Sequence, residues 1–320
     1  MHTTSPSTPF ERPLGLGGTD IAAILGLSPY KSPLEVWSQL VGERNPQNKD
    51  MLHLRFGQHA ESFIANEYER CTRLKTHAHP QTIFHPEHNF MFGHVDRLVS
   101  EPGQDATDTN GHITTNRILE CKTASAFNRS EWGDEGTDQI PATYLMQCAW
   151  YLAITRCQFV DVAVLVGNND FRIYHVERDL ELEGLLIEHA LKFWHEHVVL
   201  KTPPRPTTPN DAALLFPNHV QDSQVEANPE LLASYEKYRD LIAQSQTINV
   251  ECDRLKTEIL SYMGQAERLT FGDKTLATWK CAKTSQRVDT KSLCAAHPEI
   301  ASQFTQQVIG SRRFLLKDAT

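Results

Sequence analysis

The order of its periodic segments constrains this chain more than any other feature. Gly15-Leu16-Gly17-Gly18-Thr19-Asp20 reads as a turn that opens a helix, capped by Thr19 or Asp20 and continued by Ile21 to Leu25. Gly26 to Tyr30 breaks that helix, and Ser32-Pro33 restarts one with proline at its first position. Residues 52–70 carry a helical apolar face of Leu54, Ala60, Phe63, Ile64 and Tyr68. Strands are expected at Gln81 to Phe84, Phe90 to Val99 and Arg117 to Thr123, separated by a turn at 86–89 and a long polar loop at 100–116. A helix over Ala142 to Ile154 follows. Two strands, Phe159 to Val166 and Phe171 to Val176, are then joined across Gly167-Asn168-Asn169-Asp170, and a helix over 178–200 closes the region. Helices, strands, helix, strands, helix is the order of an α/β core.

Beyond it, Pro203, Pro204, Pro206 and Pro209 mark a linker. Residues 229–264 read as a long helix or helix pair, polar on most faces. A short hairpin over Leu269 to Trp279 and a final helix and strand complete an all-α and small-β appendage. The expected division is a domain at 1–201 (with 1–14 as a mobile lead-in), a linker at 202–228 and an appendage at 229–320. No internal repeat is visible.

Composition excludes several classes. Of 320 residues 40% are hydrophobic and 22% charged, too apolar for a disordered chain. No stretch approaches the ~20 apolar residues of a membrane span, and the N-terminus lacks the basic start and apolar run of a signal peptide. A soluble, intracellular protein with no membrane partner is the expectation. The 7 cysteines are widely spaced with no Cys-x-x-Cys, which argues against a disulfide framework or zinc ribbon. Most are expected to be packed thiols. The net charge of −9 speaks against a nucleic-acid partner, but the basic charge gathers at the C-terminal end, where residues 268–320 are net +5. Local sign outweighs the total for a polyanion, because screening acts over about 8–10 Å.

The chemistry concentrates in three carboxylates and a lysine. Asp96, in Gly93-His94-Val95-Asp96-Arg97, falls at the end of an expected strand. Glu120 and Lys122 lie two apart on the next strand, so they share a face while Cys121 points the other way. Glu61 lies on the preceding helix. A bare Glu-x-Lys is commonly a solvated face, but this one stands in an apolar run. Burying a charged pair without a task is costly. Carboxylates so placed suit Mg²⁺ or Mn²⁺, with the Cys121 backbone carbonyl as a further oxygen ligand. Such a metal lowers the pKa of a bound water and holds a phosphoryl oxygen. Lys122 could orient or deprotonate that water, or offset transition-state charge.

Two further patterns accompany these residues. Tyr144, Gln147 and Tyr151 share one face of the 142–154 helix, next to the carboxylate strands, where Gln147 could steer water and Tyr144 could contact a backbone phosphate. Gly17-Gly18-Thr19-Asp20 has the form of an anion cradle at a helix start, although most such turns are caps. His77, His79, His85, His88 and His94 cluster without a helical metalloprotease spacing and are expected to be satisfied or exposed, with His94 sharing the strand face of Asp96.

At this point the chain resembles the YqaJ-type viral recombinases, phage exonucleases related to lambda exonuclease in the PD-(D/E)xK superfamily. The resemblance is carried by Gly17 to Pro33, Gly57 to Glu61, Gly93 to Arg97, Leu119 to Ala124 and Pro141 to Tyr151. It implies a restriction-endonuclease-like core, a central mixed sheet flanked by helices. By the same resemblance Asp96 and Glu120 are metal ligands, Lys122 is the catalytic lysine, Glu61 completes the acidic site, and Gln147 and Tyr144 lie beside it. Thr19 matches a position suited to a 5′ terminal phosphate, with Ser28 and Lys31 in support. The implied activity is Mg²⁺-dependent digestion of double-stranded DNA from free ends, 5′ to 3′, with Mn²⁺ able to substitute. The 3′ strand left behind would pass to a single-strand annealing protein. A homo-oligomeric ring and a cytoplasmic setting, as a phage or prophage protein in a bacterial host, are further family-level expectations. The cysteines lack the closely spaced set of relatives that carry an iron–sulfur cluster, so no cluster is expected.

Two other readings compete. An endonuclease or structure-selective nuclease of the same fold would cut closed circles. A DNA-end-binding recombination scaffold would not hydrolyse at all, yet Glu61, Asp96, Glu120 and Lys122 are all present, where a degenerate site would have lost at least one.

Overall fold

The computed structural model describes residues 13–42, 52–284, 286, 288–306 and 312–316, apart from the side chains of His53 and Leu54. Most of the expected lead-in and the Leu54 contribution to the helix face lie outside the described residues. Among the described residues no helix is long and apolar enough to cross a membrane. The chain divides into two compact units, Met1–Leu215 and Phe216–Thr320.

The first unit is built on a five-stranded mixed sheet of order β1-β4-β5-β6-β7. Its strands are β1 (Lys75–Ala78), β4 (Arg97–Ser100), β5 (Arg117–Ala124), β6 (Phe159–Val166) and β7 (Asp170–Glu177). Only β5 and β6 run parallel, which requires the crossover helix α4 (Ala142–Thr155) between them. A separate pair, β2 (Ile83–Phe84) and β3 (Phe92–Gly93), is antiparallel.

Alternation along β5 decides which helix meets which residue. Ile118 joins a cluster with Leu98, Val162 and residues of α4, α1 (Gly18–Ile24), α2 (Pro33–Leu40) and α5 (Leu180–Phe193). Leu119 joins Val99 and Ala163 under Ala60, Ile64 and Tyr68 of α3 (Leu52–Thr72). Each fully buried Leu or Ile of this kind contributes about 1.5–3 kcal/mol. The result is the expected mixed sheet flanked by helices.

Several local expectations need correction. Phe63 is 54% exposed, so the buried stripe of α3 is Ala60, Ile64 and Tyr68 without it. The strand expected over Phe90 to Val99 is broken at His94-Val95-Asp96, so Asp96 stands just ahead of β4 and His94 shares no strand face with it. Strand β1 was not anticipated; its half-exposed Lys-Thr-His-Ala sequence carries no apolar alternation. Four of the seven cysteines, Cys71, Cys252, Cys281 and Cys294, are exposed rather than packed.

Residues expected to open a linker remain with the first unit. Asp211 of α6 (Pro209–Leu215) accepts from Ser32 Oγ at 2.5 Å and from Thr207 and Thr208 N–H at 2.9 and 3.0 Å. Ser32 is itself the N-cap of α2, accepting from the Glu35 N–H. The second unit holds the long helix α7 (Pro229–Met263), the hairpin β8 (Arg268–Phe271) and β9 (Lys274–Thr278), and the short helices α8 (Thr290–Ala296) and α9 (Pro298–Gln303).

Candidate active site

Glu120 and Lys122 project from β5 toward α4, as their spacing requires. The Lys122 ammonium donates to Glu120 Oε1 at 2.5 Å and to Gln147 Oε1 at 3.0 Å. Gln147 Nε2 donates to the same Glu120 oxygen at 2.9 Å and to Tyr151 Oη at 2.9 Å. The ring of Tyr144 lies under the ammonium at 4.8 Å. One carboxylate oxygen of Glu120 is thus held by two donors. The other, Oε2, is buried and has no hydrogen-bond partner. An unpaired buried acceptor costs about 1–3 kcal/mol, and more when charged.

Asp96 is brought to the same place by the end of β4. Its register with β5 pairs Arg97 with Leu119, so the next residue back faces Glu120. There the side chain replaces the ladder: Cys121 N–H donates to Asp96 Oδ2 at 2.7 Å. Desolvation, and then the Glu120 charge, push the Asp96 carboxyl up to about 8, against the pull of Lys122 and the Cys121 N–H. Burial works against the Lys122 ammonium, but Glu120 and Asp96 outweigh it and raise its proton affinity. Burial drives the Cys121 thiol up as well, and its side chain packs on the α3 side, as the strand alternation expected.

Glu61 is not drawn into this cluster. It is ion-paired to Arg97, whose guanidinium also donates to the Asp96 carbonyl at 2.5 Å. Its charge contributes least to the Asp96 shift. Among the described residues no three His, Cys, Asp or Glu side chains converge as a ready metal-ligand set. The sequence's three-carboxylate site is therefore two facing carboxylates with a third held aside.

The N-terminal turn reaches the site by another route. Gly17 caps α1, and its N–H donates to Asp20 Oδ2 at 3.0 Å. Lys31 pairs with the buried Asp20 at 2.8 Å. The turn therefore supplies its own carboxylate, and Lys31 is committed to it. Thr19 is exposed on the first turn. Ser28 accepts from the Tyr30 N–H at 3.2 Å. The link inward is Gly18: a Cβ there would stand 2.6 Å from the ring of Tyr151, and one at Gly93 would stand 3.0 Å from the same ring. Tyr151, which holds Gln147, thus joins the glycine turn to the carboxylate strand. The histidines lie apart: His77 bonds Ser100, His94 bonds Thr82, and His85 stacks on His88.

Residues 11–158 match the YqaJ-like viral recombinase domain family. A curated relative, the uncharacterized protein YqaJ of Bacillus subtilis (strain 168), is 28% identical over 97% of this chain and 93% of its own length. The alkaline exonuclease of Laribacter hongkongensis, in its complex with dAMP, is a structural neighbour at 16% identity and TM-score 0.47, over 59% of this chain and 89% of its own. A phage-related exonuclease from Haemophilus somnus 129PT aligns at 12% identity and TM-score 0.43, over 59% of this chain and 96% of its own. The resemblance read from the motifs is borne out, and the matched residues include every element that builds the site.

Proposed function

We propose that this YqaJ-like chain is a metal-dependent deoxyribonuclease that degrades double-stranded DNA from its ends, 5′ to 3′, leaving 3′ single strands. The observation that carries the reading is Glu120 Oε2, a buried carboxylate oxygen without a partner, facing a second carboxylate whose proton affinity is raised. A divalent cation would satisfy that oxygen and allow both carboxylates to ionise. The donor set is all oxygen, from Asp96, Glu120 and the Cys121 carbonyl, which suits Mg²⁺, with Mn²⁺ as a substitute. Held there, the cation would polarise a phosphoryl oxygen and acidify a water.

The protein groups divide the remaining work. Gln147 and Lys122 fix Glu120 through its Oε1, leaving Oε2 available. The Lys122 ammonium, kept charged by its two carboxylate neighbours, offsets the negative charge that builds on the phosphoryl group. Tyr144 supports that ammonium through its ring. Glu61 adds negative charge beside Asp96 and orients Arg97. Thr19 is assigned to the 5′ terminal phosphate with Ser28, while Lys31 acts through Asp20. An enzyme that resects DNA ends suits a family described as viral recombinases, with a strand-annealing protein as its successor in a bacterial cytoplasm.

The test is digestion of linear duplex DNA labelled at one end or the other, with Mg²⁺ or EDTA, beside a covalently closed circle. Release from 5′ ends of linear DNA only, abolished by EDTA, is expected. Cutting of the circle would make it an endonuclease, and no hydrolysis would make it an end-binding scaffold.

A further inference from the structure

Helix α7 is 35 residues long, about 52 Å at 1.5 Å per residue. Only Met263 among its side chains is buried. Helices in water draw most of their stability from packing an apolar face, and α7 has almost none packed within its own unit.

Its sequence nevertheless holds a seam. Alternating steps of three and four residues from Leu231 to Tyr262 visit ten positions, and eight are apolar, the exceptions being Ser234 and Ser245. This is the heptad a/d pattern, sustained for more than four repeats. Apart from Tyr238, whose ring meets that of Phe314, the seam is open: Leu231 is 56% exposed, Leu241 51%, Ile248 62% and Tyr262 85%.

The seam is also complementary to itself. The spacing is symmetric, so an antiparallel copy places each seam serine against an isoleucine, Ser245 on Ile248 and Ser234 on Ile259. One flanking pair meets with opposite sign in each orientation: Glu251 falls beside Lys256 of a parallel second copy, and Lys237 beside Glu258 of an antiparallel one. Within the helix both glutamates also pair with Arg254, an exposed cation that leaves them able to share a second partner.

We propose that α7 is an association helix whose a/d seam takes the same seam of a second copy of this chain in a two-stranded coiled coil. The inference is independent of the nuclease reading, because no site residue lies on α7.

Light scattering on the full chain, across concentration, tests it. The variant Ile248→Glu/Leu255→Glu places two charges on the seam and should lower the mass at concentrations where the wild type associates. Val250→Glu, at a 71% exposed position off the seam, should leave the mass unchanged. Ser245→Leu fills a polar seam layer and should lower the association midpoint about tenfold. A seam double variant that keeps the wild-type mass overturns the proposal, as does a wild type that stays at 36.3 kDa throughout. If the double variant fails to fold, Ser245→Leu decides: no gain in association overturns the proposal.

Discussion

Replacing Gly18 by alanine probes how the N-terminal turn is joined to the carboxylate strand. The new Cβ would stand 2.6 Å from Tyr151 Cε1 and 3.0 Å from its hydroxyl. The ring has little room to retreat, because it is buried and Gly93 also abuts it. Overpacking of this kind costs about 1–3 kcal/mol. A displaced ring also gives up its bond to Gln147, about 1 kcal/mol more. At about 2–4 °C per kcal/mol for a unit of this size, the thermal midpoint should fall on the order of 5–15 °C. Gln147 would then hold Glu120 and Lys122 less firmly, and nuclease activity should fall about tenfold. Tyr151→Phe separates the two effects. It keeps the ring and removes the hydroxyl, so it should lose activity with a stability within about 1–2 kcal/mol of wild type. Thermal melts paired with a DNA degradation assay read both. A Gly18→Ala protein that melts and cuts like wild type would refute the coupling of turn to site.

Three further outcomes follow from the buried carboxyls. Burial raises the Asp211 carboxyl, but bonds from Ser32, Thr207 and Thr208 outweigh it and hold it below its usual range. Its contribution is therefore full above pH of about 4 and is lost as pH falls further. Asp211→Asn should lower the midpoint of the first unit near neutral pH, with a difference from wild type that shrinks in acid; a constant difference across pH would contradict the assignment. Asp96, pushed up to about 8, must lose its proton when a cation binds. Calorimetric Mg²⁺ affinity should therefore rise up to about tenfold per pH unit from pH 6 to 8 and level off above. For the same reason the metal-free fold should lose stability as pH rises through that window; a flat affinity profile would dispose of the idea.

Much of this was legible in the residues. Strand β6 falls on Phe159–Val166 as expected, because eight apolar-rich residues before a Gly-Asn-Asn-Asp turn leave little choice. Glu120, Lys122 and Gln147 come together because a two-residue step on a strand and a helix face across from it are fixed periodicities. The misses were tertiary. Nothing local tells that Lys31 serves Asp20, eleven residues back, or that Glu61 is drawn off by Arg97. The break ahead of β4 is set by the Asp96 side chain taking the Cys121 N–H, which no propensity encodes. Gly18 reads as part of a turn and Gly93 as part of a strand, yet each stands against one tyrosine ring. The α7 seam lay in plain sequence but is masked by the many polar residues around it.

The most direct test of the account is Lys122→Ala. The variant should keep its fold by circular dichroism and bind duplex DNA with near wild-type affinity. Its hydrolysis of linear DNA in Mg²⁺ should drop about a thousandfold, the scale expected when charge stabilisation of a transition state is removed. Hydrolysis at the wild-type rate by the folded variant would contradict the assignment of the Glu120, Lys122 and Asp96 cluster as the active site.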